Sequence, residues 1–139
     1  MDEYVGCQIK RIHQKCIIIH QTDLLKKLER TFKTDIKDLK VRKMPLGTNN
    51  RIMKPKDDET LISSEEQTRY RSGIGMLLYL VKYSRPDLSN TVRELSKVNS
   101  GATSEHVRSL VRVIKFKLDT RNKGLVYNVA KKMMIISRD

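Results

Sequence analysis

Hydrophobic and polar residues alternate near the N-terminus in the manner of a half-buried strand. Val5, Cys7 and Ile9 fall on one side of the stretch YVGCQIK, and the residues between them fall on the other. The segment CIIIH follows after the connector RIHQK, and its β-branched run is typical of a buried strand. The pattern therefore predicts a β-hairpin across residues 4–20.

The apolar spacing then changes to that of an amphipathic helix. Leucines and a phenylalanine recur on one stripe of the segment Asp23–Lys33, which predicts a helix with Thr22 as its N-cap. From about Thr34 to Ser63 the periodicity fades, and two prolines, a glycine and a charge run replace it. We expect an extended surface loop in this region, either with a binding role or disordered.

Regular spacing returns in a long helix predicted from about Glu65 to Tyr83. Ser64 and Gln67 have the spacing of a capping box, in which each side chain satisfies a free backbone N–H group of the first turn. Apolar residues surround the second half of the segment, so we expect it to be buried on nearly all sides. Gly73 and Gly75 weaken a helix interior, and their presence predicts the close approach of another backbone.

Two further helices are expected around and after the sequence SRPDL. Pro86 disfavours helical geometry in the residue before it and suits the first turn of a new helix, which predicts a break and a second helix across Pro86–Asn99. The third helix, about Glu105–Leu118, has Thr103 or Ser104 as its cap and a clear apolar stripe. The segment KGLVYNV then predicts a turn and a short strand, and the final KKMMIISRD is either a strand or a frayed tail.

Together these elements predict a mostly helical α+β fold in which an N-terminal β-hairpin is followed by a helical bundle. A chain of 139 residues is long enough to bury a core of its own. We expect four segments, namely the hairpin with its helix, the extended loop, the helical region and a tail, over residues 1–33, 34–63, 64–128 and 129–139.

Composition adds a strong positive charge to this picture. The chain has 29 basic and 16 acidic residues and a net charge of +13, which favours a polyanionic partner such as nucleic acid. The alternative is a basic surface that only keeps the protein soluble. No apolar run approaches the roughly 20 residues of a bilayer span, and the N-terminus MDEYVGCQIK does not resemble a signal peptide. We therefore expect an intracellular protein with no membrane partner and with both cysteines reduced.

The third predicted helix concentrates part of this charge on its polar side. Arg108, Arg112 and Lys115 recur at i, i+4 and i+7, and such a row of cations can lie along a nucleic-acid backbone. We expect the row to continue through Lys117, Arg121 and Lys123. The same pattern also describes a solvated helix face, so the residues alone leave both interpretations open.

The sequence predicts no catalytic residue, no metal ligand and no cofactor. Cys7, His13, Cys16 and His20 have a spacing that matches no common zinc finger, and the cysteines fit better as small apolar residues of two paired strands. The acidic cluster Asp57–Glu59 lies beside lysines in the predicted loop, where a solvated charge run is the simpler interpretation.

The order of several short motifs resembles the C-terminal part of the reverse transcriptase of copia-type LTR retrotransposons. The likeness extends over about residues 3–128. The residues that carry it most clearly are the Tyr-Arg-x-x-hydrophobic-Gly group (Tyr70, Arg71, Gly75), the pair Tyr79 and Leu80, the Arg-Pro-Asp group (Arg85, Pro86, Asp87), the pair Leu95 and Ser96, the helix-opening His106, the basic group Arg112, Ile114 and Lys115, and the strand from Gly124 to Tyr127.

This resemblance implies the end of the palm of a polymerase, followed by its thumb and connection. In such enzymes, basic helices of the thumb contact the phosphates of the primer–template duplex and position it without recognising its sequence. The family's catalytic Tyr/Phe-x-Asp-Asp motif does not occur in this sequence, and Mg²⁺ would belong to the part that has it. We therefore expect a fragment that does not polymerise by itself, with nucleic acid and the remainder of a reverse transcriptase as partners.

Other hypotheses remain open at this point. The chain could be a remnant protein–protein interaction module or a decayed transposon reading frame without activity. An exposed apolar patch of several hundred Å² on the side of the hairpin would favour the interaction module. An enzyme completed by a catalytic half in trans is a further hypothesis, for which the residues offer no support.

Overall fold

The computed structural model describes residues 2–4, 7–13, 16–37, 54–55, 59–121, 123–128 and 134–137. The strands are β1 (Asp2–Tyr4), β2 (Cys7–His13), β3 (Cys16–His20), β4 (Lys123–Asn128) and β5 (Met134–Ser137). The helices are α1 (Thr22–Thr31), α2 (Lys33–Ile36), α3 (Ser64–Tyr83), α4 (Ser89–Ser96) and α5 (Ser104–Asp119), with a 3₁₀ turn at Pro86–Leu88 before α4. The mostly helical α+β class and the N-terminal hairpin are confirmed.

The strands form one antiparallel sheet in the order β1-β2-β3-β4-β5. The predicted hairpin is β2 with β3, and β4 adds to it with Val126 opposite Ile18. The sheet therefore combines strands from the N-terminal and C-terminal parts of the sequence. The pairing of β3 with β4 was not predicted. Cys7 and Cys16 are buried on the paired strands β2 and β3, as expected for small apolar residues.

The main hydrophobic core lies among the helices, and α3 is its central element. Helix α3 packs against α1, α4 and α5, and its residues Tyr70, Ile74, Leu77 and Leu80 are almost completely buried. The described helices include none with the length and apolarity needed to cross a membrane.

The start and the second half of α3 differ from the prediction. The N-cap is Ser63, whose hydroxyl accepts a hydrogen bond from the Glu66 N–H at 3.3 Å, so the capping box at Ser64 and Gln67 is wrong. Burial on nearly all sides is also wrong, because Leu78 and Tyr79 are 47% and 36% exposed. Among the described elements, the neighbours of α3 cover only one side of this half of the helix.

The two glycines of α3 have different surroundings. A Cβ atom on Gly73 would lie 2.8 Å from Cζ of Phe32 and 3.1 Å from Cδ2 of Leu110. At Gly75, no atom of a described residue outside the local helix would lie within 4 Å of such a Cβ. A close approach therefore exists at Gly73 alone of the two, and its partners are side chains instead of the predicted backbone.

The junctions before α1 and α4 show one wrong and one confirmed prediction. Residue Gln21, not Thr22, is the N-cap of α1, and its side chain forms no capping hydrogen bond. The Thr22 N–H instead donates to Oε1 of Gln8 on β2 at 2.7 Å. At SRPDL the break occurs as predicted, with Arg85 outside helical geometry and Pro86 opening the next turn. Helix α4 ends at Ser96 instead of Asn99.

Two of the expected segments fall partly outside the described residues. The predicted loop across residues 34–63 includes residues 38–53 and 56–58, which the structure does not describe. Residues 34–36, at the start of the predicted loop, instead belong to α2. In the expected tail, residues 134–137 form β5.

Replacing each α3 glycine with alanine should have opposite effects on stability. Gly75→Ala should raise the free energy of unfolding by about 0.5–1 kcal/mol, because alanine is the better helix former and nothing opposes its methyl group. Gly73→Ala should lower it, since crowding against the Phe32 ring costs about 1–3 kcal/mol. Urea denaturation of both variants measures the two effects. Equal stabilisation by the two substitutions would contradict the packing of Phe32 against Gly73.

Candidate nucleic-acid interface

Helix α5 has the candidate residues, and its first turn is fixed by local hydrogen bonds. Thr103 is the N-cap and forms a capping box with His106, whose Nδ1 accepts from the Thr103 N–H at 3.0 Å. This arrangement confirms Thr103 as the cap and gives the helix-opening His106 a structural role. From this start α5 extends to Asp119, with its apolar stripe in the core.

Tyr70 and Arg71, the first two residues of the Tyr-Arg-x-x-hydrophobic-Gly group, connect α3 to the end of α4. The Tyr70 hydroxyl donates to the Leu95 carbonyl at 2.6 Å, and Arg71 Nε donates to the Asn99 carbonyl at 2.8 Å. The carbonyl groups near the end of a helix have no partner within that helix. These side chains therefore stabilise the connection between α4 and α5, while Gly75 lies exposed and makes no comparable contact.

The Arg85-Pro86-Asp87 group connects the end of α3 to the end of α5. The Arg85 guanidinium is completely buried and donates to both carboxylate oxygens of Asp87, at 2.9 and 2.7 Å. It also donates to the carbonyl and the hydroxyl of Thr120 just after α5, at 3.2 and 3.0 Å. This bidentate geometry suits arginine and gives the group a structural role.

Three of the predicted cations lie on the outer side of α5. The Arg108 side chain is 69% exposed and forms an ion pair with Glu105 at 3.2 Å. Lys115 is only 20% exposed in its side chain and pairs with Asp119 at 2.9 Å. Arg112 lies between them, half-buried, and takes part in no ion pair among the described residues. The row exists as predicted, but carboxylates neutralise both of its ends.

Lys117 does not belong to this row. It lies nine residues after Arg108, which is about 180° around a helix, and it is 2% exposed among core residues. Burial, followed by the charge of nearby Arg85, lowers the pKa of Lys117 to about 7. The expectation that Lys117 contacts a nucleic acid is therefore corrected, because its ammonium group cannot reach a backbone from this position.

The remaining predicted cations lie beyond α5. Arg121 is exposed, with Nη1 3.7 Å from a carboxylate oxygen of Glu29 on α1. Its Nε donates to the Leu118 carbonyl at 2.9 Å. Lys123 is the first residue of β4. The structure thus brings Arg108, Arg112 and Lys115 together on one face and places Arg121 near α1.

A second group of cations was missed in the sequence. Lys26, Arg30, Lys33 and Lys37 follow each other at i, i+4, i+7 and i+11, and all four are exposed along α1 and α2. This spacing is as regular as that of the α5 row and could have been found in the same way. Together with Lys115 these residues line a cleft between α1–α2 and α5.

No group of three metal-ligating side chains occurs among the described residues. Of the acidic cluster at 57–59, the structure describes Glu59 alone, and the side chain of His13 also lies outside the description. The described part of the chain therefore has no carboxylate cluster that fits Mg²⁺.

Three curated relatives are similar to this chain. The retrovirus-related Pol polyprotein from transposon RE1 of Arabidopsis thaliana is 37% identical over 60 residues, which are 43% of the chain and 4% of that polyprotein. The corresponding polyprotein from transposon RE2 is 28% identical over 125 residues, or 88% of the chain and 8% of the polyprotein. A transposon Ty5-1 protein of Saccharomyces cerevisiae is 27% identical over 127 residues, or 91% of the chain and 39% of that protein.

The chain thus spans less than half of the length of each of these relatives. No protein-family model matches it, and no solved structure matches it significantly. The similarity supports the origin of this chain in a retrotransposon Pol polyprotein.

The burial of Lys117 predicts a specific dependence of stability on pH. Between its folded pKa of about 7 and its usual value of 10.5, the unfolded chain binds a proton that the folded chain has released. Stability therefore rises with pH across this window, by at most about 1.4 kcal/mol per pH unit. Lys117→Met should stabilise the protein at pH 6 and remove this contribution.

Urea denaturation of the wild type and of Lys117→Met from pH 6 to pH 10 measures the effect. Burial raises the pKa of Cys7 and of Tyr70, and both groups lower stability at alkaline pH. Because both proteins contain them, the difference between the two curves isolates Lys117. A difference that stays constant with pH would mean that Lys117 is solvated.

Proposed function

We propose that this chain is the thumb and connection segment of a copia-type reverse transcriptase and that it contacts the backbone of the primer–template duplex. Supporting this are the similarity to transposon Pol polyproteins and the order of the family motifs in the sequence. The observation that carries the proposal is the outer row of α5. Arg108 and Arg112 project from a helix whose opposite side is buried in the core, so their positions are fixed relative to the whole bundle.

The proposed contact is electrostatic and independent of base sequence. Arginine side chains bind phosphate oxygens with paired N–H groups, and each phosphate that they neutralise releases counterions. A net charge of +13 adds long-range attraction for any duplex. In this proposal Lys115 contributes less than the arginines, because Asp119 already neutralises it.

Catalysis is not part of the proposed function of this segment. The described residues offer no cluster that could bind the metal ions of nucleotidyl transfer. The family's Tyr/Phe-x-Asp-Asp motif does not occur in the sequence, because the pair Asp57-Asp58 follows Pro55 and Lys56. The segment would position a duplex for carboxylates supplied by another part of the polymerase.

A second candidate function is that of a protein-docking module. Leu78 and Tyr79 are exposed neighbours on α3, and the Tyr79 ring packs against Tyr83 with their centroids 4.8 Å apart. Apolar groups exposed together favour contact with another protein surface. This candidate would replace the first if the folded chain did not bind a duplex.

Binding to an RNA–DNA hybrid across a salt series tests the first proposal. We expect log K to fall linearly with log salt, and the double variant Arg108→Ala, Arg112→Ala should reduce the slope by about 2, at 0.9 for each lost phosphate contact. Lys82→Ala, Arg93→Ala is the matched control, since it removes the same charge from exposed positions on α3 and α4.

Circular dichroism should show unchanged helix content in both variants. Equal losses of affinity in the two would mean that total charge, not the α5 row, attracts the duplex. Absence of binding by the folded wild type at low salt would contradict the proposal and favour the docking module.

A further inference from the structure

The cleft between α1–α2 and α5 combines a substantial volume with an excess of positive charge. It has a volume of about 690 Å³. Among the described residues, its charged lining consists of five cations and one carboxylate, with a formal charge of +4: Lys26, Arg30, Lys33, Lys37, Lys115 and Glu29. These side chains converge from three helices, which distinguishes the cleft from a solvated row on one helix.

The nearby carboxylates take part in ion pairs, and one of these pairs neutralises Lys115 of the cleft itself. Glu29 faces Arg121 at 3.7 Å, Asp119 pairs with Lys115 at 2.9 Å, and Asp35 of α2 pairs with Arg69 of α3. Among the residues that the structure describes, none forms an ion pair with Lys26, Arg30, Lys33 or Lys37. The cleft therefore contains uncompensated positive charge.

Like charges at i and i+4 destabilise a helix. Lys26 and Arg30 have this relation within α1, and Lys33 and Lys37 have it across the end of α2, where Lys37 is the C-cap. A bound anion would relieve both repulsions at once, and this gain would add to the attraction between the anion and each cation.

The cations extend from a fixed framework. Leu25 and Leu28 anchor α1 in the core, and Ile36 of α2 packs against the same core and also lines the cleft. On the opposite wall, Lys115 belongs to α5, whose buried stripe fixes its position. A site on packed helices presents its charges with less freedom than a site on loops.

Both the size and the chemistry of the cleft favour a small, highly charged anion. Small-molecule sites have volumes of roughly 300–1,000 Å³, and this cleft falls within that range. Lysine and arginine are the usual ligands of phosphate groups. The described residues that line the cleft include no aromatic ring on which a base could stack.

We propose that this cleft is a binding site for an oligophosphate, which Lys26, Arg30, Lys33, Lys37 and Lys115 recognise by its charge. The oligophosphate is either a free anion or a run of consecutive phosphates in a nucleic-acid backbone, which offer the same chemistry. The site shares Lys115 with the α5 row but contains neither Arg108 nor Arg112, so it can be tested separately from the proposed duplex contact.

Calorimetric titration of the full chain with inorganic tripolyphosphate tests the site. The cleft variant is Lys26→Ala, Arg30→Ala, Lys33→Ala, in which exposed cations are replaced by a strong helix former. Its matched control, Lys27→Ala, Lys82→Ala, Arg93→Ala, removes the same number of lysines and arginines from exposed positions outside the cleft. Lys27 is the neighbour of Lys26 on α1, so the control also tests a change in this helix.

We expect wild-type binding at low salt, a loss of about tenfold or more in the cleft variant, and a change of less than about twofold in the control. Equal losses in both variants, or absence of binding by the folded wild type, would overturn the proposal.

The RNA–DNA hybrid serves as a second probe. If the cleft variant also binds the hybrid more weakly than the control does, the phosphates belong to a nucleic-acid backbone. If it loses tripolyphosphate only, the ligand is a free anion. Wild-type binding of tripolyphosphate without any binding of the hybrid would support the cleft and contradict the duplex proposal.

Discussion

Hydrogen bonds from α3 side chains to the chain between α4 and α5 determine where the functional face of the protein lies. Gln67 and Arg71 both donate to the Asn99 carbonyl, and Gln67 also accepts from the Ala102 N–H at 3.0 Å. Tyr70 donates to Leu95 one turn earlier. Without these bonds, several backbone groups would be buried without partners, at a cost of about 1–3 kcal/mol each. The bonds fix the start of α5, and the direction of its outer row follows from that start.

At the other end of α5, the interior contains positive charge as well. Arg85 and Lys117 are both buried, and Asp87 is the carboxylate that interacts with both of them. Two cations near one anion leave an excess charge in a region of low dielectric, which favours neutral Lys117. The Arg85 guanidinium has five N–H donors, and four hydrogen bonds to Asp87 and Thr120 engage all three of its nitrogens. The hydrogen bonds of charged Arg85 therefore stabilise the contact between the end of α3 and the end of α5. Adjacent Lys117 has a lowered pKa, which reduces the excess positive charge when the lysine is neutral.

Local patterns in the sequence correctly predicted structural features that depend on only a few neighbouring residues. The start of α5 at Thr103 and the break at Pro86 follow from capping and backbone rules that act within a few residues. The burial of Lys117 could also have been predicted, since it follows Leu110 and Val113 at the spacing of the buried stripe. Because its side chain is basic, Lys117 was instead assigned to the row of exposed cations.

Other features depend on contacts between distant segments and have no local signal. Gln67 has the spacing of a capping residue, yet it bonds to Asn99 and Ala102 because those groups are buried beside it. Gly73 is required by the Phe32 ring, which lies on a different helix. The cleft likewise exists because α1 and α2 pack beside α5, although the spacing of its cations is visible in the sequence.

The comparison of the two basic surfaces shows why net charge alone is a poor guide to the binding site. Both contain cations at helical spacing, and a count of charges would rank them as similar. On α5, Glu105 and Asp119 neutralise the first and last members of the row, so the field of the row is centred on Arg112. In the cleft, Lys26, Arg30, Lys33 and Lys37 form no ion pair with another described residue, and two walls face the same volume. Attraction for an anion grows where several uncompensated charges converge on one point. Because ion pairs neutralise two members of the α5 row, a compact anion is attracted more strongly to the cleft than to the row.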